Sequence, residues 1–257
     1  EAELSTRKAI KLNPSYAMAH CNLANILVNL GKVTEAELST RKAIQLNPNL
    51  DIAYCNLGGI LMSLGKIKEA ELSTRKAIKL NPNMAAPYCN LGNILVTLGN
   101  LKEAELSARK AIKLNPNYSK AYANLGGILV RLGNLKEAEI STRKAIKLNP
   151  NYSKAYANLA KILSDLGKSL DANKNYSIAL EMEPNNIQYY INSKLNISPI
   201  MNSNFQINDE RKKYRASINK IKDNPNFSLA KHEIFNTDIF FLAYHNRLDD
   251  KNILEEL

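Results

Sequence analysis

The stretch EAELSTRKAIKLNP at Glu1–Pro14 decides the fold, because the chain keeps returning to it. Near-copies stand at Glu35–Pro48, Glu69–Pro82, Glu103–Pro116 and Glu137–Pro150, and a worn copy, DANKNYSIALEMEP, at Asp171–Pro184. Each copy begins 34 residues after the one before. A fixed period of that length is the signature of a solenoid, whose units bury their apolar faces against neighbours instead of in one central core.

Working outward, a second recurring segment lies between the copies: AYCNLGGILMSLGK (Ala53–Lys66), PYCNLGNILVTLGN (Pro87–Asn100) and AYANLGGILVRLGN (Ala121–Asn134). In the last of these Tyr122, Leu125, Ile128, Leu129 and Leu132 fall at helical spacing, and so do Ala138, Ile140, Ala145, Ile146 and Leu148 in the copy that follows. Gly133 ends the first helix, since a left-handed residue there costs nothing. Asn149-Pro150 ends the second, because Pro lacks a donor and disfavours helix in the residue before it. Each unit therefore reads as two antiparallel helices, and the fold class as all-α.

Counted from Ser119, the unit places Tyr122 at position 4, Leu125 at 7, Gly126 at 8, Leu129 at 11, Gly133 at 15, Ala138 at 20, Ala145 at 27 and Pro150 at 32. This pattern resembles the tetratricopeptide repeat, and units starting at Ala17, Asp51, Ala85 and Ser153 share the register. The resemblance covers residues 1–186 as a leading half-unit and five full units, and implies a right-handed superhelix with the first helices on its concave wall. Two departures stand out. Position 4 is His20 in the first full unit, and position 24, usually a large aromatic, is Thr40, Thr74, Ala108 and Thr142, with Tyr176 alone fitting. Small residues there are expected to thin the packing between units by a few methylenes, at about 0.8 kcal/mol each. Gly58, Gly92 and Gly126 fall inside helices, which close helix contact explains; Gly59 and Gly127 point to the first-helix wall and leave room for a ligand backbone or are mere drift.

Cys21, Cys55 and Cys89 recur at one position of successive units. Equivalent helices stack roughly 9–10 Å or more apart, beyond disulfide reach, so these read as free thiols suited to a reducing, cytoplasmic setting. No metal-ligand spacing accompanies them, and the adjacent His20 and Cys21 read as packing; no metal or cofactor is expected. No run of about 18 apolar residues exists to span a membrane. The chain starts within a unit and reads as a segment of a longer protein, so a missing leader says nothing. Ten of its eleven net positive charges lie in 1–184, interleaved with acids, and nucleic acid is not the expected partner.

One polar residue recurs at position 6 of every first helix: Asn22, Asn56, Asn90, Asn124 and Asn158. Asn is a mediocre helix former, yet its carboxamide both donates and accepts. A row of them along a groove can pair with the backbone of an extended peptide whatever its side chains; copying by duplication is the bland alternative. Asn25 and Asn93, at position 9, share that face. Lys120, Arg131, Lys154 and Lys161 add positive charge and suggest an acidic stretch in the partner. On the outer helices, Glu37/Arg41 and its three copies are i, i+4 pairs worth about 0.2–0.5 kcal/mol each.

Beyond the array, Ile187–Asn196 reads as a capping helix, and residues 187–222 as cap and linker helices, with an amphipathic helix at Asn208–Lys222. Residues 223–257 read as the start of a short α/β tail, with Asp238–Asn246 (DIFFLAYHN) as a strand. The sequence of cap, Ser198-Pro199-Ile200, Glu210-Arg211 with Tyr214, then FFLAYHN (Phe240–Asn246) and Asp249-Asp250 resembles the junction of bacterial members of the O-GlcNAc transferase/SPINDLY family. That resemblance implies a parent that moves a sugar from a nucleotide donor to a protein, with the asparagine row feeding it acceptor peptide. The family's catalytic and nucleotide-binding residues belong to segments after Leu257, so no catalysis is expected of this chain alone. A stand-alone scaffold is the remaining alternative.

Overall fold

The computed structural model describes Glu1–Lys194 together with Asp209, Lys212, Lys213, Ala216 and Asn219. Among the described residues the chain forms two compact units, Glu1–Leu148 and Asn149–Leu257. The first unit opens with α1 (Ala2–Leu12) and continues with the pairs α2 (Ala17–Asn29) and α3 (Val33–Leu46), α4 (Asp51–Ser63) and α5 (Ile67–Leu80), α6 (Ala85–Thr97) and α7 (Leu101–Leu114), and α8 (Ser119–Arg131) and α9 (Leu135–Leu148). The second unit holds the pair α10 (Ser153–Asp165) and α11 (Ser169–Met182), with α12 (Ile187–Lys194) packed on α11. Among the described residues every element is α-helical, and within the first unit the pairs stack as a helical solenoid.

The predicted helix ends are the observed ones. Gly133 takes φ +79°, the left-handed value, while its N–H donates to Val130 O at 3.0 Å and Asn134 N–H donates to Leu129 O at 2.8 Å. Two orphan carbonyls of α8 are thus satisfied, and the chain reverses into α9. At the other end Asn149 Oδ1 accepts the Asn151 N–H at 3.1 Å, a side-chain turn that Pro150 keeps from continuing as helix. The other units of the first body repeat both devices.

Within the first unit each helix pair packs tightly, each second helix meets the next first helix, and the first helices also pack on one another: α2 on α4, α4 on α6, α6 on α8. The first helices thus make the tighter, inner layer. Apolar clusters run from pair to pair. Leu57, Leu61 and Ala70 of α4 and α5 close on Ile94 of α6, with Ile44 of the preceding α3 against them.

Position 24 packs against position 8 of its own pair. Thr40, Thr74, Ala108 and Thr142 are completely buried, and the contact they make is close. The reason lies at position 8 of the same pair: a Cβ built on Gly58 would stand 2.1 Å from Thr74 Oγ1, and one on Gly126 equally near Thr142 Oγ1. The threonine oxygen occupies the space the glycine leaves. In the first full pair position 8 is Ala24, and there Thr40 Oγ1 turns back to donate to Ala36 O at 2.8 Å. Gly58 and Gly126 are therefore explained by close contact, as expected, whereas a Cβ on Gly92 would meet nothing nearer than Ala104 O at 3.4 Å, an ordinary contact.

Ile191 of α12 is buried, as a capping helix requires. Within the predicted helix 208–222, the described residues Asp209, Lys212, Lys213, Ala216 and Asn219 are helical, and Lys213 pairs with Asp209 at 2.6 Å. Ser198-Pro199-Ile200, Glu210-Arg211, Tyr214 and the predicted strand Asp238–Asn246 lie outside the described residues.

Candidate functional site

On a helix, positions 2, 6, 9 and 13 share one face, being four, seven and eleven residues from the first. On α8 that face carries Lys120, Asn124, Gly127 and Arg131; on α6, Ala86, Asn90, Asn93 and Thr97; on α4, Ile52, Asn56, Gly59 and Ser63; on α2, Met18, Asn22, Asn25 and Asn29. None of these sixteen residues is buried. The asparagine row therefore lies along the open face of the inner layer, as the period requires. In the second unit α10 carries Lys154, Asn158, Lys161 and Asp165 at the same positions.

The amides do more than face outward. Asn90 Nδ2 donates to Cys55 O at 3.3 Å and lies 3.7 Å from Cys55 Sγ; Asn124 Nδ2 donates to Cys89 O at 3.4 Å and approaches Cys89 Sγ to 3.1 Å. Each of these two side chains thus ties its first helix to the one before. Among the described residues the oxygens Oδ1 of Asn90 and Asn124 keep no such partner, so the free half of each amide is an acceptor. Asn56 Nδ2 is buried without a hydrogen bond. Asn22 and Asn25 are exposed, and Asn93 is half-buried.

The two glycines on this face differ. A Cβ on Gly59 would meet Asn90 Nδ2 at 3.7 Å, so Gly59 gives the amide room. A Cβ on Gly127 would meet nothing within 4 Å, so the face is open there. Of the basic residues expected here, Lys120, Arg131 and Lys154 are exposed at the ends of their helices, whereas Lys161 is held by Asp165 at 3.2 Å and its charge is offset.

Cys21, Cys55 and Cys89 are free and buried. Burial pushes the Cys21 thiol up to about 11 and, with the neighbouring Cys89 and Asp51, the Cys55 thiol up to about 12. Neither is a nucleophile near neutrality. The Nε2 atom of His20 lies 3.2 Å from Pro14 O, so this ring is fixed to backbone, not to Cys21. Among the described residues no group of three or more His, Cys, Asp or Glu could hold a metal ion, and no helix is long and apolar enough to cross a membrane.

The outer layer has a ladder that i, i+4 reading only half reveals. Arg41 pairs with Glu37 at 2.8 Å and also with Glu69 of the next unit at 2.9 Å; Arg75 and Arg109 repeat the arrangement with Glu103 at 2.7 Å and Glu137 at 2.6 Å. The signal was present in the period, as a glutamate 28 residues after each of these arginines. Glu37 is the best-enclosed member, at 7% exposure, because Lys66 of the next unit closes over it at 2.8 Å. Hydrogen bonds from Lys66 first and Arg41 second hold its carboxyl below the usual glutamate value. A lowered carboxyl stabilises the fold above the unfolded-state value near 4.3, and that contribution disappears as pH falls through the folded one. Glu37→Gln is therefore expected to lower stability at pH 7 by no more than about 1 kcal/mol, since both partners are half-exposed, and to lower it by less at about pH 3, below the unfolded-state value. Urea midpoints of the two proteins at both pH values check this.

Models of the tetratricopeptide repeat match residues 6–37, 52–84, 85–118, 119–152 and 142–172. The chain belongs to the tetratricopeptide repeat family. Two of the matched spans, 85–118 and 119–152, coincide with the units read from the sequence. Solved tetratricopeptide and related structures share the fold. The tetratricopeptide repeat protein TTC0263 of Thermus thermophilus is 22% identical over 69% of this chain and 96% of its own, with a TM-score of 0.64. PilF of Pseudomonas aeruginosa is 18% identical over 82% and 94%, with a TM-score of 0.62. A chain of the Cut9–Hcn1 hetero-tetramer of the APC/C is 16% identical over 86% and 43%, with a TM-score of 0.74. No curated protein matches the chain.

Proposed function

We propose that this chain is a protein-interaction module whose inner helix layer holds an extended peptide. The observation that carries the reading is the face of α6 and α8. Asn90 and Asn124 have committed their nitrogens to the neighbouring helix and present their oxygens, while the surface at Gly127 beside them is open. Such a surface recognises peptide N–H groups by their spacing, with little regard to side chains. Lys120 and Arg131 flank it and favour a segment that carries acidic residues. The matching face of α10, with Lys154, Asn158 and Lys161, is a candidate for the same use in the second unit.

The test is a peptide selection from a random displayed library on the intact chain, followed by affinity measurements on Asn90→Ala/Asn124→Ala. The double variant is expected to bind selected peptides about tenfold or more weakly, with two acceptors lost at roughly 1 kcal/mol apiece. It is also expected to be less stable by a similar amount, because two ties between helices go with them. Unchanged affinity in a folded variant excludes the asparagine row from binding.

The resemblance of 187–257 to a glycosyltransferase junction supports a more specific form, in which the bound peptide is the acceptor of an attached sugar-transferring domain. Transfer from a nucleotide sugar to a selected peptide by the parent protein, lost when the inner face is altered, is its test. Transfer that ignores the inner face contradicts it.

A further inference from the structure

The outer face of the first unit carries a second surface that the peptide reading does not use. Leu4, Leu38, Leu72, Leu106 and Ile140 occupy one position of successive units and are 66–75% exposed. Single exposed leucines are ordinary, but five in register make a stripe along the array. Lysines follow four residues later in every unit and seven residues later in all but one, on the same helix face.

Between successive outer helices this surface sinks into clefts. One, of about 510 Å³, is lined by Ile112 and Lys113 of α7, Tyr122 and Leu125 of α8, and Ile140 and Lys144 of α9. A second, of about 410 Å³, is formed three units earlier by the equivalent residues Ile10, Lys11, His20, Leu23, Leu38 and Lys42. Floor and wall are largely apolar, and the rim of the larger cleft carries Arg109, Lys113 and Lys144 beside one carboxylate, Glu137. The rim's arginine, Arg109, is already paired with Glu105 and Glu137, whereas Lys113 and Lys144 have no carboxylate partner among the described residues. In the unit between, Lys76 Nζ stands 6.0 Å above the ring of Tyr54, the counterpart of Tyr122. The lysine on this rim can thus reach over the floor.

We propose that these outer clefts take bulky apolar side chains of an acidic partner segment, with its carboxylates on the lysines of the rim. Charge complementarity selects this occupant. A second copy of the face would bring unpaired lysines against one another, which is repulsive. A flat lipid surface would leave the clefts unfilled, whereas a side chain of a partner enters them. The proposal stands apart from the inner-face reading, since Tyr122 and Leu125 lie on the side of α8 opposite the face that carries Lys120, Asn124, Gly127 and Arg131.

The probe is a fluorescein-labelled peptide of repeated Phe-Glu-Glu triplets, titrated by anisotropy against the intact chain. A peptide of Ala-Glu-Glu triplets is the control. Expected results are binding of the first in preference to the second, weakening of about tenfold or more in Lys113→Glu/Lys144→Glu, and weakening with added salt. Ile140→Glu, at an exposed position, supplies a second variant that is expected to fold and to bind less. Absence of Phe-Glu-Glu binding, equal binding of the two peptides, or indifference to both outer variants would overturn the proposal. So would sedimentation with phosphatidylserine–phosphatidylcholine vesicles, or self-association, that the lysine variant abolishes in place of peptide binding.

Discussion

Leu61→Ala is expected to lower the stability of the first unit by about 2–5 kcal/mol, the cost of a large-to-small change in a closed core. Leu61 is fully buried in α4, in the cluster with Leu57, Ala70 of α5 and Ile94 of α6, and Ile44 of α3 packs against that cluster. One truncation therefore loosens the contacts of a helix pair with both neighbouring pairs. In a solenoid, stability is the sum of unit and interface contributions, so there is no distant core to compensate. Leu38→Ala is the control: at 66% exposure it is expected to shift the urea midpoint little, within about 0.5 kcal/mol. Similar losses for the two variants would contradict the assignment of the core to the surfaces between helix pairs.

Gly58→Ala/Gly126→Ala is expected to act in the other direction, raising stability by about 2 kcal/mol or more. Each glycine in a helix interior costs about 1 kcal/mol relative to alanine. The nearest obstacle to a methyl group is a rotatable oxygen, Thr74 Oγ1 or Thr142 Oγ1, each buried without a hydrogen-bond partner, while Thr74 Cβ and Ala138 O, each at 3.3 Å, must yield by a few tenths of an ångström. The first full pair already shows the alternative, with Ala24 at the helix contact and Thr40 Oγ1 donating to Ala36 O. Once alanine is introduced, Thr74 and Thr142 are expected to rotate to the Thr40 arrangement and recover a bond worth about 1 kcal/mol each. Thermal melts of the double variant decide the matter. A loss of stability would mean that the pairs with glycine are too close to adopt the geometry of the pair with alanine.

The period, the two helices per unit and their ends were legible in the sequence because each depends on neighbours a few residues away: an apolar stripe, Gly133, Asn149-Pro150. The face carrying Asn22, Asn56, Asn90 and Asn124 was legible for the same reason. What those amides do was not. The carbonyl that Asn124 meets belongs to Cys89, 35 residues earlier, and no local pattern points to it. The same holds for Arg41 and Glu69, whose pairing depends on how units stack. At Thr74 and Thr142 the contact with the glycine facing each across the pair was not legible, because it joins two helices of one unit 16 residues apart.

The inner face as a peptide trough is the central claim, and Gly127→Leu tests it most directly. A Cβ at Gly127 meets nothing within 4 Å, so the leucine enters open space, and replacing a helical glycine favours the fold by somewhat under about 1 kcal/mol. The account predicts a variant at least as stable as the original whose affinity for library-selected peptides falls about tenfold or more, because the side chain occupies the place of the bound backbone. A stable variant that binds those peptides as tightly as the original would contradict it.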